Sequence, residues 1–198
     1  MPRLAPPVRD DQDLRIDLPA SLSDDAVTLR PLRVDDAPAY VAAFTDDQEL
    51  GRLLGVEKDP DEQSIHEKIS RQSRRSEEGA GATLVIADPA TDAFWGEITL
   101  HSFEWQHRRC EIGYWLVPAV RGRGLATRAI SLAISWALLE FDLLRIEMTT
   151  TPDNVAVHAV ARRLGFQREG MLRKRNVERG HRVDVVWFGL LREEWTGS

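Results

Sequence analysis

The sequence has very little cysteine: one residue, Cys110, among 198. A single thiol cannot form a disulfide within the chain, and no group of histidines and cysteines has the spacing of a zinc site. We therefore expect a protein of a reducing compartment, the cytoplasm, that holds no metal ion.

Long apolar runs and an excess of positive charge are also missing. The opening MPRLAPPVRDDQD lacks the apolar core of a signal peptide, and the most apolar stretch, around 129–139, is interrupted by Ser131 and Ser135. Lysine and arginine number 26 against 32 acidic residues, which gives a net charge of −6. These absences predict no membrane role and argue against a general nucleic-acid binder, while weakly favouring cationic partners such as amines.

The chain has enough apolar residues for one domain. Its 198 residues, 42% of them hydrophobic, are enough for the hydrophobic core of one domain and too few for two domains of ordinary size. Residues 1–25 contain four prolines and several aspartates. This composition predicts an N-terminal arm that is either mobile or packed on the surface, so that residues 26–196 form the folded domain.

Hydrophobic periodicity predicts the order of elements in that domain. A short strand at 27–30 precedes two helices, one entered near Asp35 and Asp36 and a polar one at 61–77. Alternating segments then predict a hairpin and a third antiparallel strand that ends at Pro118. A helix with an alanine and isoleucine stripe, a strand, a helix closed by Gly165 and a final hairpin follow. The predicted order is β-α-α-β-β-β-α-β-α-β-β.

The segment VPAVRGRGLAT, Val117 to Thr127, joins a predicted strand to a predicted helix. The first N–H groups of a helix lack internal acceptors and form an anion site, and Gly122 and Gly124 let the backbone approach a ligand closely. The nucleotide-hydrolase pattern G-x-x-x-x-G-K-[ST] is absent, and the dinucleotide fingerprint lacks its third small residue at Thr127. The segment predicts a phosphate site of another kind, with an ordinary strand-to-helix turn as the alternative.

The arrangement Arg121-x-x-Gly124-x-Ala126 resembles the acetyl-CoA loop of the GNAT acetyltransferases. The stretch CEIGYWLVPAVRGRGLAT is similar to that of the Rim-type subgroup, the ribosomal-protein N-terminal acetyltransferases and their relatives, and DNVAVHAVARRLGF and FGLLREEW resemble later family segments. The resemblance spans residues 27–195. It implies an α+β GNAT fold: a twisted, mostly antiparallel sheet of about seven strands that contains a splayed parallel pair, flanked by about four helices.

The resemblance also implies how acetyl-CoA binds. The pyrophosphate would lie on the N–H groups of 121–126, and the pantetheine arm along 112–117, where the strand splays from its parallel neighbour at 145–150. The implied cofactor-binding residues are Leu116, Val117, Arg121, Gly122, Arg123, Gly124, Leu125, Ala126, Thr127 and Asn154. Backbone N–H groups near Leu116 or Val117 would contact the developing oxyanion, and helix capping is the alternative role of Asn154.

The implied reaction is acetyl transfer to an amine, with Glu111 as a general base that acts through water. The alternative is that Glu111 is merely a charged residue on the outer face of the sheet. We expect Glu97, His101, Glu104 and Trp105 near the acceptor, although an exposed loop is the alternative for the last three.

The general acid is where the sequence departs from the family. Val157 stands where Rim-type enzymes often carry a serine, and the helix after Asn154 has no tyrosine. Water or His158 is left to protonate the departing thiolate, and a surface helical residue is the alternative for His158.

The acceptor that these features favour is an α-amino group of a protein, peptide or amino acid, attacked directly in a ternary complex. Neutralising a lysine amine at pH 7 costs about 4.6 kcal/mol, whereas an α-amine costs about 1.2 kcal/mol. Alternatives are a small amine such as a polyamine or an aminoglycoside, or an acyl-CoA sensor without turnover, which Val157 keeps open. The basic run REGMLRKRNVERGHR could bind the cofactor's 3′-phosphate or an acidic partner, or be a solvated hairpin. Many relatives are dimers, so the resemblance allows a homodimer.

Overall fold

The computed structural model describes residues 14–54, 56, 59–178 and 180–197. The strands are β1 Leu22–Ser23, β2 Thr28–Pro31, β3 Gly81–Ala87, β4 Phe94–Glu104, β5 Arg109–Leu116, β6 Arg145–Thr150, β7 Gln167–Glu178 and β8 His181–Leu191. The α-helices are α1 Ala37–Asp46, α2 Gln48–Leu53, α3 Glu62–Glu77, α4 Leu125–Glu140 and α5 Val155–Arg163.

These strands form one sheet in the order β1-β2-β3-β4-β5-β6-β8-β7. Neighbouring strands are antiparallel except β5 and β6, which run parallel. The predicted α+β fold, mostly antiparallel with one parallel pair, is confirmed. The sequence analysis missed β1 and α2, because elements of two and six residues are too short to show a period.

Helix α4 covers one face of the sheet with the stripe that its sequence predicts. The members of this stripe are 0% exposed: Ala129, Ile130, Ala133, Ile134 and Ala137. On the opposite face, Tyr40 of α1 makes an edge contact with Trp115 of β5, at a ring-centroid distance of 5.2 Å. We call these the α4 face and the α1 face. Since side chains alternate along a strand, β5 presents residues to both.

The described part of the N-terminal arm is packed against the domain. Ile16 is 2% exposed, and its N–H donates to the carbonyl oxygen of Ser76 at 2.8 Å. Leu22 and Ser23 pair with β2 at the sheet edge. The described residues of the arm thus contact the domain, while residues 1–13, also predicted as part of the arm, lie outside the described residues.

Helix α2 begins at a side-chain cap. The Oδ1 atom of Asp47 accepts the N–H of Glu49 at 3.2 Å, so it satisfies one of the free donors of the first turn. The helix buries Leu50, which is 1% exposed, in the cluster on the α1 face. A short capped helix thus closes this end of the α1 face.

Candidate active site

The parallel pair β5–β6 is joined over half of its length only. The paired positions run from Arg109–Glu111 on β5 to Arg145–Glu147 on β6, although β5 continues to Leu116 and β6 to Thr150. Beyond Glu111 the strands diverge, as the sequence analysis predicted. The split opens into a cleft of about 710 Å³ lined by both strands, the loop before α4 and the first turns of α5.

Beyond Glu111, one edge of the β5 backbone faces this cleft. The N–H of Val117 donates to the carbonyl oxygen of Trp95 on β4 at 2.8 Å. Because an antiparallel ladder alternates, the odd-numbered residues of β5 bond β4, while Ile112, Tyr114 and Leu116 aim their N–H and C=O groups toward β6. Of the two N–H groups expected to contact an oxyanion, that of Val117 is therefore already bonded, and that of Leu116 points into the split.

The loop before α4 has the geometry of an anion site. Gly122 and Gly124 have φ angles of +75° and +78°, and a Cβ atom on either would meet no atom within 4 Å. Gly124 is the N-cap residue of α4, and no side chain caps the free N–H groups of the first turn. The hydroxyl of Thr127 is buried and has no hydrogen-bond partner among the described residues. These features fit a pyrophosphate on the α4 face.

Arg121 is held in place by the protein itself. Its Nε donates to the carbonyl oxygen of Leu116 at 2.8 Å, and its Nη2 donates to Asp47 Oδ2 at 2.5 Å. The arginine therefore ties the end of β5 and the loop before α4 to the cap of α2. No sequence signal shows this contact, since the partners are 74 positions apart.

Glu111 and His101 lie side by side on the α1 face, because they are directly paired across β4 and β5. The hydroxyl of Thr149 on β6 donates to Glu111 Oε1, which fixes one carboxylate oxygen at the point where the strands part. A Cβ at Gly113 would lie 3.7 Å from His101 Nε2, so this nitrogen sits over β5. Burial lowers the pKa of His101, Glu111 opposes this, and Arg75 lowers it further. The imidazole is therefore neutral near pH 7.

The other residues expected near the acceptor do not line the cleft. Glu97 is 4% exposed and binds Lys68 through Oε1 at 2.9 Å, while Oε2 has no hydrogen-bond partner in the described part of the chain. Glu104 is exposed and pairs with Arg109. Trp105 donates its indole N–H to the carbonyl oxygen of Gly79 at 2.9 Å. Of the four, the cleft includes His101 alone.

The cofactor-binding residues expected from the resemblance divide in the same way. Those that line the cleft are Leu116, Arg121, Gly122, Gly124, Leu125, Ala126, Thr127 and Asn154. Val117 and Arg123 are not among the lining residues. Asn154 also caps α5, since its Oδ1 accepts the N–H of Val157 at 3.3 Å.

Neither His158 nor Tyr114 is an obvious general acid for the departing thiolate. His158 contacts the carbonyl oxygen of Thr151 at 3.1 Å through Nε2, packs edge-on against Phe188 and does not line the cleft. Tyr114, which the sequence analysis did not single out, lines the cleft, and burial raises its pKa to about 12. Its hydroxyl can donate a hydrogen bond there and stays protonated at neutral pH.

The described residues contain no group of three or more histidine, cysteine, aspartate or glutamate side chains that could hold a metal ion. None of their helices is both long enough and apolar enough to cross a membrane.

A parallel strand pair split over a helix-capping anion loop defines the GNAT class of acetyltransferase, and comparisons with known proteins agree. A family model described as "Acetyltransferase (GNAT) domain" matches residues 26–167. The "Putative ribosomal N-acetyltransferase YdaF" of Bacillus subtilis (strain 168) is 30% identical over 175 residues, which cover 87% of this chain and 94% of that protein.

Two further proteins extend the comparison. The structure described as "Mycobacterium smegmatis RimJ in complex with CoA-disulfide" has a TM-score of 0.78 and 26% identity, and the match covers 88% of this chain and 87% of that one. The Spermidine N(1)-acetyltransferase of Escherichia coli (strain K12) is 32% identical over 77 residues, which cover 39% of this chain and 41% of that protein.

The chain belongs to the GNAT acetyltransferase family and is an acetyl-CoA-dependent N-acetyltransferase. Within the family it falls in the Rim-type subgroup.

Proposed function

We propose that the protein transfers the acetyl group of acetyl-CoA to the α-amino group of a protein or peptide, by direct attack of the amine on the thioester. The observation that carries this proposal is the pairing of Glu111 with a neutral His101 where the strands part. Such a pair can accept a proton without being a strong base, and an α-amine needs only about 1.2 kcal/mol to become neutral at pH 7. The name of the Bacillus relative, a putative ribosomal N-acetyltransferase, supports a protein acceptor.

In this proposal the two substrates bind from opposite faces of the sheet. The α4 face would hold acetyl-CoA, with the pyrophosphate on the N–H groups at Gly122 and Gly124 and the pantetheine against the free backbone groups of β5. When bound, acetyl-CoA supplies an activated acetyl group as a thioester. The amine would enter from the α1 face, where Leu50, His101 and Glu111 line the cleft.

In the transfer, the amine nitrogen forms a bond to the carbonyl carbon and the carbon–sulfur bond breaks. The N–H of Leu116 would donate to the carbonyl oxygen as negative charge develops there. The proton that the amine loses would pass through water to the free oxygen of Glu111 or to His101 Nε2. Thr149 keeps the carboxylate in position during this step.

The departing thiolate takes up a proton from water in this proposal. Tyr114 is a poor proton donor, because its pKa is raised to about 12. A thiol has a pKa near 8.5, so transfer from the phenol to the thiolate would be uphill by about 5 kcal/mol. Tyr114 is therefore better suited to hydrogen bonding than to net proton transfer, and His158 lies outside the cleft.

The acceptor is tested by incubating the protein with acetyl-CoA and a panel of peptides, spermidine and aminoglycosides. Thiol release gives the rate, and mass spectrometry gives the acetylated atom. We expect acetylation of the peptide α-amine, and no reaction of matched peptides whose N-terminus is blocked but which contain a lysine.

Two results would replace the proposal. A higher kcat/KM for spermidine than for every peptide would assign the small-amine function, which the partial match to the spermidine enzyme favours. Binding of CoA with no acetylated acceptor in the panel would favour an acyl-CoA sensor without turnover. The valine at position 157, where Rim-type enzymes often carry a serine, keeps this alternative open.

A further inference from the structure

The hairpin of β7 and β8 concentrates positive charge in an acidic protein. Residues 167–184 contain six lysines and arginines against three acidic residues, although the whole chain has a net charge of −6. Arg173, Lys174 and Arg175 are exposed, and no ion pair joins them to another described residue. By contrast, arginines elsewhere on the sheet, such as Arg30 and Arg109, bind two carboxylates each. No ion pair among the described residues offsets Arg173, Lys174 or Arg175, and the nearest carboxylate on β8, Asp184, binds the backbone N–H of Lys174.

These three cations stand on a fixed irregularity of the hairpin. Leu172 pairs with Val185 and Asn176 with Val183, so three residues of β7 face the single residue Asp184 of β8. We call residues 173–175 the cationic bulge.

Two hydrogen bonds hold the cationic bulge in shape. The N–H of Lys174 donates to Asp184 Oδ1 at 2.8 Å, and Arg182 Nη1 donates to the carbonyl oxygen of Lys174 at 3.0 Å. Lys174 has a φ of +55°, which costs a non-glycine residue free energy. The hairpin therefore maintains a strained turn that displays three consecutive cations.

The cationic bulge adjoins the side from which the amine would enter. Lys174 and Arg182 line a second cavity of about 370 Å³, together with Arg52 of α2, residues 151–153 and Val183. Three carboxylates also line it, those of Asp153, Glu178 and Asp184. Thr150 and Asn154, which flank that loop, line the catalytic cleft. Since Arg52 belongs to α2, the helix at this end of the α1 face, the second cavity lies beside the proposed acceptor entrance.

We propose that the cationic bulge binds acidic side chains of a polypeptide acceptor, a few residues after the α-amine that is acetylated. The inference rests on the proposed function. An acceptor chain that leaves the cleft past α2 would cross the second cavity and meet Arg173, Lys174 and Arg175. Opposite charges there favour acidic sequences over neutral or basic ones.

The test compares peptides that share their first two residues and differ at positions three to six, which are acidic, neutral or basic. The variant Arg173→Gln/Lys174→Gln/Arg175→Gln removes the cations and keeps polar side chains of similar size. We expect kcat/KM for the acidic peptide to fall about ten-fold, and that for the neutral peptide to change less than two-fold. Added salt should produce the same selective loss in the unmodified protein. Arg168→Gln, which removes an exposed cation at the far end of β7, is the matched control.

Equal losses for acidic and neutral peptides, or no loss, would overturn the proposal. So would a variant that weakens binding of CoA and leaves dephospho-CoA unaffected, because the bulge would then bind the cofactor's 3′-phosphate. Selective loss of binding to a single-stranded RNA oligonucleotide, with peptide kinetics intact, would assign the surface to nucleic acid instead.

A binding measurement separates this inference from the proposed function. Fluorescence anisotropy of an N-terminally blocked acidic peptide, in the presence of CoA, needs no acetyl transfer. Failure to acetylate any peptide would refute the α-amine acceptor. Unchanged affinity of the blocked peptide in the triple variant would refute the acidic subsite.

Discussion

Substitutions at Gly124 test separately how backbone angle, space and charge in the loop before α4 affect CoA binding. A Cβ at this position meets no atom within 4 Å, but φ is +78°. Gly124→Ala should therefore cost about 1–2 kcal/mol of stability through the left-handed backbone, with a modest loss of CoA affinity. Gly124→Gln adds bulk, and Gly124→Glu adds a negative charge to the same bulk. A charge about 5 Å from a phosphate at an effective dielectric of 20 costs about 3 kcal/mol, which solvent reduces at this exposed loop.

Isothermal titration calorimetry with CoA measures each step. We expect Gly124→Glu to bind roughly 10- to 100-fold more weakly than Gly124→Gln. Gly180→Glu is the matched control, because φ there is +79° and its Cβ position is also open, but it lies in the distant β7–β8 turn. It should lose stability and keep its CoA affinity. Equal CoA affinities of the Gln and Glu variants at position 124 would refute the assignment of this loop to the pyrophosphate.

Three further predictions concern protons and buried charge. Glu111→Gln should lower turnover with the largest fractional loss at low pH, and an unchanged pH profile of kcat would remove Glu111 as the base. Burial lowers the pKa of folded His101, so the unfolded chain binds a proton more readily than the folded one. The free energy of unfolding should therefore fall as pH drops below about 6.5. Urea unfolding of His101→Gln should show a smaller decrease over this pH range than the unmodified protein. Asp36→Ala should lower the free energy of unfolding in urea by about 3–5 kcal/mol. Arg30 is 3% exposed and donates to both Asp36 oxygens at 2.8 Å, so the variant leaves a buried cation without its main partner. A loss below about 1 kcal/mol would show that Asp92 alone can compensate the charge of the arginine.

Much of the fold could be predicted because its long elements keep their period. The stripe of α4, the hairpin of β3 and β4, and the strand that ends before Pro118 all follow from such patterns, in elements of 7 to 16 residues. Asn154 was also placed correctly at the start of its helix. Positions that depend on tertiary contact could not be read in this way. Trp105 looks like a loop residue beside an acceptor, yet its ring stacks on Phe103 at 4.9 Å and packs edge-on against Phe141.

Arg121, in the loop before α4, shows that a sequence motif can indicate which ligand binds without showing which atoms contact it. In the sequence, Arg121 reads as a positive charge for the pyrophosphate. In the structure its guanidinium joins Leu116 to Asp47, and Asp47 also caps α2. A peptide carbonyl and a carboxylate take up two of its five N–H donors and fix its position. In our proposal the pyrophosphate therefore binds mainly to the backbone N–H groups after Gly122 and Gly124. The positive residue thus holds the loop in the shape that exposes those groups, and it links the loop to the helix beside the acceptor entrance.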